Sequence, residues 1–329
     1  MGLSPSDPNF RRVQLAVSCR DADRLPRVAD AGVVREDGVQ VMHNGVLVEA
    51  GGYQGEWMTE IIRSLRGVHE PQEELAFSVV LSRLAGAGVR APVVVELGCW
   101  WAYYSLWALA ELGPDARAFM IEPDPAYLEV GRRNFALNGR RGEFLQAAAG
   151  HSPTPPQPFL CESDGSEHPV PTEGLASLMG RWGLDRIDLL LVDIQGAEVP
   201  LFDGARDLLA SGAVRFLVVS THHHRISGDP LTHQRCVMLL QELGGHVICE
   251  HTVAESFTGD GLLVVSFDPA DRDLSVVVSR CRVGDSLFGD PLWDLATAYD
   301  EASAMRAQLA ASTSAPPAAP PTRRSFLRR

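Results

Sequence analysis

Lysine is absent from this sequence of 329 residues, so its 29 strongly basic side chains are all arginines. Without a lysine ammonium group the chain cannot form a Schiff base, use a lysine as general base or carry a Walker A phosphate loop. Acidic residues number 42, which gives a formal net charge of −13. No basic stripe precedes the arginine-containing carboxyl-terminal end, so the sequence argues against nucleic acid as a partner.

Paired cysteine motifs and long apolar runs are also missing. The six cysteines show no C-x-x-C spacing, and the amino-terminal end lacks the charged start and apolar core of a secretion signal. No uninterrupted apolar run approaches the ~18 residues that would suggest a membrane span. We therefore expect a soluble protein of the reducing cytoplasm, with no membrane partner.

Apolar runs of strand length alternate with helical patterns from Pro92 onward. This alternation predicts an α/β protein with a Rossmann-like, doubly wound and mostly parallel sheet that helices cover on both faces. We predict seven strands, near residues 93–97, 119–122, 143–147, 187–194, 215–221, 246–250 and 262–267. The predicted organisation is an accessory or lid region over 1–78, the sheet domain over 79–285, a helix over 286–311 and a disordered tail over 312–329.

Two of the apolar runs end on a glutamate. Residues 93–95 lead into Glu96 and residues 118–121 lead into Glu122, with one predicted helix between the two strands. The carboxyl ends of neighbouring parallel strands are where such a sheet binds a nucleoside, and a carboxylate can accept hydrogen bonds from both hydroxyls of a ribose. The spacing of the two acids is close to the offset of roughly 20 residues that is typical of a ribose-binding carboxylate.

The turn after the first of these strands indicates which nucleoside fits. Residues 98–105 read G-C-W-W-A-Y-Y-S, with one of the three glycines of G-x-G-x-x-G. Tryptophans stand where a diphosphate would lie, which disfavours the main enzymatic alternative, a nicotinamide-dependent oxidoreductase. Glu96 would repel a diphosphate but would favour a ligand with an amine and a sulfonium, such as S-adenosyl-L-methionine. A buried strand–helix junction in another doubly wound protein is the structural alternative.

A later strand end carries the most specific motif, because residues 187–205 read I-D-L-L-L-V-D-I-Q-G-A-E-V-P-L-F-D-G-A. Asp193 is expected at the same sheet edge as the two glutamates, with helix capping as its alternative role. The run resembles the FkbM-type family of S-adenosylmethionine-dependent methyltransferases, whose members typically read I-D-L-L-K-I-D-V-E-G-A-E. Over roughly residues 80–270, the resemblance implies a class I methyltransferase fold, S-adenosyl-L-methionine as cofactor and O-methylation of a sugar, polyketide or other small natural product.

Four positions depart from the patterns of such enzymes. Leu191 and Gln195 replace the family's lysine and glutamate, and Trp100 and Ala102 stand where many methyltransferases have glycines. These departures keep a non-catalytic nucleoside-binding or scaffold protein open as an alternative.

Three consecutive histidines, His222, His223 and His224, follow the fifth strand. In extended geometry His222 and His224 point one way and His223 the other. Methyl transfer to an alcohol needs a group that takes the hydroxyl proton, and imidazole is the usual acceptor near neutral pH. We predict that His222 or His224 is this base and that Asp193 orients the acceptor. The alternatives are a hydrogen-bonding role in the loop, or a divalent metal held by Asp193 and His222 with His251 or Glu255.

The remaining predicted site residues surround the same sheet edge. Glu122 is expected to hold the ribose hydroxyls, and Glu96 and Gly98 are expected to line the methionine end of the cofactor. The other predicted cofactor-binding residues are Trp100, Ser105 and Pro123. The acceptor is expected to contact His69, Glu70, His223 and Glu255. For His69 and Glu70 the alternative is a solvated helix start, and for Glu255 it is a position that merely lines a hairpin.

Overall fold

The computed structural model describes residues 4–281 and 305–306 of the chain. It separates into two units, Met1–Asp290 and Pro291–Arg329, and the first contains every numbered strand and helix and every cavity described below. The predicted helix over 286–311 and the predicted tail over 312–329 lie outside the described residues, apart from residues 305 and 306, which are helical. None of the helices in the described residues has both the length and the apolar character to cross a membrane.

The described residues form twelve strands and ten α-helices in the first unit. The strands are β1 (Val39–Val41), β2 (Leu47–Glu49), β3 (Val93–Leu97), β4 (Arg117–Ile121), β5 (Glu143–Leu145), β6 (Ala148–Ala149), β7 (Thr154–Leu160), β8 (Glu167–Glu173), β9 (Ile187–Val192), β10 (Val214–Thr221), β11 (His246–His251) and β12 (Gly261–Ser266). The helices are α1 (Phe10–Ser18), α2 (Glu56–Ser64), α3 (Pro71–Gly86), α4 (Tyr103–Leu112), α5 (Pro125–Leu137), α6 (Leu175–Trp182), α7 (Glu198–Gly204), α8 (Arg206–Ala210), α9 (His224–Ser227) and α10 (Thr232–Glu242).

Seven strands form the central sheet in the order β11-β12-β10-β9-β3-β4-β5. Strands β10, β9, β3, β4 and β5 are parallel, and β12 is antiparallel to both β10 and β11. All seven predicted strands are therefore confirmed, as is the doubly wound class. The strand order reverses between β3 and β9, and such a reversal opens a crevice at the carboxyl ends of the strands.

The core lies on both faces of this sheet. Successive side chains of a strand point to opposite faces. Val94 accordingly joins a cluster that includes Phe77 of α3 and Leu106 of α4. Val95 joins a second cluster, which includes Phe202 of α7. Burial of the strands on both faces explains why their sequences are continuous apolar runs.

The amino-terminal region packs against the sheet domain. Its hairpin, β1 and β2, is bonded to α5 through two asparagine side chains. Asn134 Oδ1 accepts from the Glu49 backbone at 2.8 Å, and Asn138 Oδ1 accepts from the Leu47 backbone at 3.0 Å. The predicted boundary after residue 78 falls inside α3. Residues 151–172, which the sequence leaves open as a loop or a hairpin, contain the antiparallel pair β7 and β8.

Candidate active site

Three chambers lie at the carboxyl ends of the parallel strands. The outer chamber, about 290 Å³, is lined among others by residues 122–124, 147–149 and 193–195. The inner chamber, about 30 Å³, is lined by residues 96–101 together with Tyr53, His69, Glu70, Glu73, Tyr104, residues 191–193 and Ser220. The side chamber, about 280 Å³, is lined by residues that include Arg12, Trp57, His222, Ile226 and Asp260.

Shared lining residues make the three chambers adjacent parts of one cleft. Asp193 lines the outer and inner chambers, and Gln195 lines the outer and side chambers. Tyr53 and Glu70 line both the inner and the side chamber. A ligand in the outer and inner chambers would therefore adjoin a second ligand in the side chamber.

The two glutamates predicted from the strand ends lie side by side at this cleft. Glu96 Oε2 accepts from the Ser105 backbone at 3.1 Å, and Glu122 Oε2 accepts from the Trp100 backbone at 3.1 Å. Burial disfavours a charged carboxylate and raises the pKa of both glutamates to about 8, although these hydrogen bonds oppose the shift. Each glutamate thus holds the turn after β3 through a backbone hydrogen bond. The raised pKa values mean that nearby positive charge does not compensate for the burial of the two carboxylates.

The turn after β3 reaches its shape through left-handed backbone conformations. Gly98 has φ 79°, and a Cβ atom there would collide with the backbone carbonyl of Asp193. Trp100 and Ala102 also have positive φ, of 39° and 57°. These are the two positions at which the resemblance to methyltransferases predicts glycines. Such conformations are costly for residues with a side chain and persist where surrounding packing imposes them.

Stacked aromatic rings supply that packing. The Trp100 ring stacks on Tyr127 with a centroid distance of 3.7 Å, and Trp101 stacks on Tyr53 with a distance of 4.7 Å. Both tryptophans line the inner chamber. The tryptophans therefore form the wall of the cleft and narrow its inner end, where a glycine-rich turn would leave space.

A cluster of charged groups from α3 and the segment before it closes the inner chamber. Glu73 Oε2 accepts from Ser220 Oγ at 2.9 Å, and burial together with neighbouring carboxylates raises the Glu73 pKa well above its usual value. His69 Nδ1 lies 2.5 Å from Glu74 Oε1, and Glu70 approaches Nε2 of the same ring at 3.1 Å.

This contact with two carboxylates determines the charge of His69. Burial favours the neutral imidazole, but Glu70 and Glu74 outweigh it and raise the His69 pKa to about 10. Burial alone would raise the Glu74 pKa, but its contacts with His69 and His43 outweigh burial and lower that pKa to about 2. His69 and Glu70 line the inner chamber and belong to a buried ionic network and not to a solvated helix start, and their contact with the acceptor stays a prediction.

His222 is the histidine that the structure brings to the cleft. Its Nδ1 lies 2.8 Å from Glu198 Oε1, and its Nε2 lies 3.1 Å from Asp193 Oδ1 and 3.8 Å from Asp260 Oδ1. The ring is 3% exposed and lines the side chamber. Burial alone would lower the His222 pKa, but the three carboxylates outweigh burial and raise it well above its usual value.

The expectation that the chain stays extended through the three histidines is wrong. Strand β10 ends at Thr221, and His223 is the N-cap of the short helix α9, with Nδ1 accepting from the Arg225 backbone at 3.3 Å. His224 is the first residue of that helix. Because both residues lie at the start of α9, the alternation of side chains along a strand does not apply to them. Neither is among the described residues that line the three chambers.

Three other predicted residues have different outcomes. Pro123 lines the outer chamber, and its contact with the cofactor stays a prediction. Ser105 contributes its backbone N–H to Glu96 and lies buried behind the chamber wall. Glu255 accepts from the Thr252 backbone at 3.0 Å, forms an ion pair with Arg280 and lines none of the chambers. The predicted contact between Glu255 and the acceptor is therefore replaced by a capping role.

No role was predicted for Glu198, which contacts His222, or for Tyr53, which lines the cleft. Asp260, one of the acids between the last two strands that were expected either to meet the substrate or to line a hairpin, lines the side chamber. Glu198 is fully buried and is held by the Gly196 backbone, which donates to Oε1 at 3.0 Å. The terminal glutamate of the motif over 187–198 was the available signal for it. Tyr53 comes from a distant loop, and its sequence surroundings give no sign of the cleft. Among the residues that the structure describes, no group of three or more His, Cys, Asp or Glu side chains is arranged to hold a metal ion.

Comparison with known proteins identifies one family and several similar folds. Residues 85–247 match the family model described as the Methyltransferase FkbM domain. A methyltransferase FkbM from Methylobacillus flagellatus KT is 14% identical with a TM-score of 0.37, over 63% of this chain and 65% of that one. Precorrin-6y C5,15-methyltransferase from Geobacter metallireducens GS-15 is 17% identical with a TM-score of 0.37, over 59% of this chain and 88% of that one. No curated protein matches the chain.

Proposed function

The chain belongs to the FkbM methyltransferase family, and we propose that it is an S-adenosyl-L-methionine-dependent O-methyltransferase acting on a hydroxyl of a small molecule. The observation that carries this proposal is the surplus of carboxylates in the cleft. Glu70, Glu73, Glu96 and Asp193 all line the inner chamber, and His69 is the one basic side chain among its described lining residues. A ligand with positive charge would relieve this imbalance.

The residues present fit the cofactor that the family implies. S-adenosyl-L-methionine supplies, when bound, a methyl group on a cationic sulfonium, and it also carries an ammonium group. The carboxylates of Glu96 and Asp193 suit these cations. Glu122 keeps free lone pairs beside its two backbone hydrogen bonds, to Trp100 and Asp124, and these can accept from ribose hydroxyls.

The inner chamber must widen to take the amino-acid end of that cofactor. Its volume of about 30 Å³ corresponds to roughly one water molecule. Tyr53 lies between Gly51 and Gly55, both with positive φ, on the loop between β2 and α2. A shift of this loop would unstack Tyr53 from Trp101 and join the inner and side chambers. Tyr53 is therefore the residue that we expect to move on binding.

The pair of Glu198 and His222 supplies the base. Glu198 holds Nδ1, so Nε2, which contacts the Gln195 amide at 3.1 Å, is the atom that takes the proton of the acceptor hydroxyl in the side chamber once the acceptor displaces that amide. Asp193, 3.1 Å from Nε2, stabilises the imidazolium that results and helps to orient the hydroxyl. Because the carboxylates raise the His222 pKa, the neutral and active form becomes more abundant as pH rises.

The side chamber has the chemistry of a site for a hydroxylated ring. Tyr53 and Trp57 provide aromatic faces for stacking, while Glu70 and Asp260 provide oxygens that accept hydrogen bonds from hydroxyls. A sugar or a hydroxylated polyketide matches this combination. We therefore place the acceptor in the side chamber.

Thermal melting with ligands tests the cofactor. A ligand that binds the folded state alone raises the midpoint, so S-adenosyl-L-methionine and S-adenosylhomocysteine should stabilise the protein and NAD should not. Replacing Glu122 by glutamine removes a carboxyl group that can accept from both ribose hydroxyls and should weaken the binding of S-adenosylhomocysteine by roughly 10- to 100-fold. The matched control is Glu111→Gln on the exposed face of α4, which should leave affinity unchanged. Stabilisation by NAD alone, or an equal effect of the two substitutions, would contradict the proposal.

A further inference from the structure

An arginine-lined groove of about 1080 Å³ lies at the amino ends of β4 and β5, whereas the chambers lie at the carboxyl ends of the strands. None of its lining residues lines a chamber. Five arginines line it: Arg117, Arg132, Arg140, Arg141 and Arg181. Among the described residues of the groove Glu143 is the one acid, although the whole chain has a net charge of −13. Arg132, Arg140 and Arg141 lie within ten residues of one another, but Arg117 and Arg181 come from distant positions and join them only in the folded chain.

Positive charge in this arginine groove is not fully neutralised by its surroundings. Arg181 forms an ion pair with Glu173 at 2.8 Å, and Arg132 approaches Glu129 at 3.9 Å. The side chains of Arg140 and Arg141 make no hydrogen bond or ion pair with the part of the chain that the structure describes. Arginines near the carboxyl ends of α5 and α6 also interact with helix dipoles, but the dipoles are much weaker than a full counter-charge.

Aromatic rings line the same groove. Phe119, Phe144 and Trp182 line it, and the guanidinium carbons of Arg117 and Arg132 lie 5.5 Å and 4.9 Å from the ring centres of Phe119 and Phe144. Aromatic residues and arginine are the types that protein interfaces favour over the rest of the surface. Arginine around an aromatic floor suits a partner that combines carboxylates with apolar side chains.

We propose that the arginine groove docks an acidic amphipathic segment of a partner protein. Its apolar side chains would contact Phe144 and Trp182, and its carboxylates would pair with Arg140 and Arg141. A protein segment is favoured over nucleic acid because a long polyanion would extend beyond the groove and meet the negative field of the remaining surface. A short acidic segment is confined to the basic patch, within about one Debye length of its arginines. Docking there leaves the chambers open.

Binding of a synthetic peptide tests this inference. The probe is an 18-residue peptide with glutamates and leucines at helical spacing, labelled for fluorescence anisotropy at low salt. It should bind the full chain, lose affinity as salt rises, and bind at least tenfold more weakly when its glutamates are replaced by glutamines. The double substitution Arg140→Glu and Arg141→Glu should weaken binding at least tenfold, and the milder Arg140→Gln with Arg141→Gln about threefold.

The matched control is Arg20→Glu with Arg272→Glu, which changes the net charge by the same amount at exposed positions outside the groove. It should weaken binding less than twofold. Each variant should retain the melting midpoint and the response to S-adenosylhomocysteine, so that failure here is distinct from failure of the proposed enzyme. Three results would overturn the inference: no binding at low salt, an equal loss in both double-glutamate variants, or tighter binding of an 18-nucleotide single-stranded RNA than of the peptide.

Discussion

Replacing Glu198 by glutamine should lower the pKa of His222. Glu198 is fully buried, with Oε1 2.8 Å from His222 Nδ1. The negative charges of Asp260, Asp193 and Glu198 together favour the imidazolium form of His222 in the folded protein. Glutamine keeps the size of the side chain and can still bond to the ring, but it carries no charge. The substitution therefore isolates the electrostatic part of the contact.

The expected size of the shift follows from Coulomb's law. Two unit charges about 4 Å apart interact by about 4 kcal/mol at an effective dielectric constant of about 20. One pKa unit corresponds to about 1.36 kcal/mol, so the full loss would lower the His222 pKa by about three units. Two carboxylates stay near the ring, and relaxation reduces the effect. We therefore expect a decrease of between about one and three units.

Titration of the imidazole by two-dimensional NMR measures this shift without an acceptor. The His222 signal is identified by its disappearance in His222→Gln, among the ten histidines of the chain. The midpoint of this signal should lie above the usual range in the unsubstituted protein. It should fall in Glu198→Gln, and it should also fall in Asp260→Asn, which removes a carboxylate 3.8 Å away. Glu111→Gln should not move it.

Thermal melting checks that each of these variants is folded before its titration is read. If Glu198→Gln does not fold, Asp260→Asn carries the test alone, because that carboxylate is partly exposed. An unchanged midpoint in the folded variants, or an increase, would refute the reasoning. Once an acceptor is found, the rise of the methyl-transfer rate with pH should move to lower pH by the same amount.

Three other substitutions test the turn, the inner chamber and its ionic network. Gly98→Ala should lower the free energy of unfolding by about 2–4 kcal/mol in denaturant titrations, whereas Gly88→Ala, with similar positive φ and open space around it, should cost about 1 kcal/mol. Tyr53→Ala should accelerate association of S-adenosylhomocysteine in stopped-flow measurements, and an unchanged rate would mean that Tyr53 does not restrict entry. Glu74→Gln should destabilise the protein by about 3–5 kcal/mol near neutral pH, because it leaves the buried His69 imidazolium with only one of its two carboxylate partners, Glu70. In the unsubstituted protein the Glu74 contribution should disappear as pH falls from about 4.5 through about 2, and calorimetry at several pH values measures it.

Strands and their order along the chain were predictable because the determining signal is local. A strand buried on both faces must be a continuous apolar run, and the runs at 93–97 and 187–192 are visible without any tertiary information. The acids Glu96, Glu122 and Asp193 could be assigned to one sheet edge for the same reason, since parallel strands place their carboxyl ends together.

Side-chain partners across the fold could not be predicted from local pattern. Glu198 and His222 lie 24 positions apart in the sequence, and their contact depends on how α7 packs beside β10. The left-handed conformations of Trp100 and Gln195 are imposed by packing, since neither residue type prefers them. The direction of His224 was wrong because a strand pattern was extended past Thr221, where the backbone turns into α9.

The amino-terminal region contributes to the inner chamber itself. Tyr53, His69, Glu70 and Glu73 precede the matched family region at 85–247, yet all four line that chamber. The buried contact between His69 and Glu74 holds their segment in place through charges that would be costly to separate. A ligand in the inner chamber would therefore bind the sheet domain and this segment together. Because binding to the folded state stabilises whatever the ligand contacts, cofactor affinity and the stability of the amino-terminal region must be thermodynamically linked.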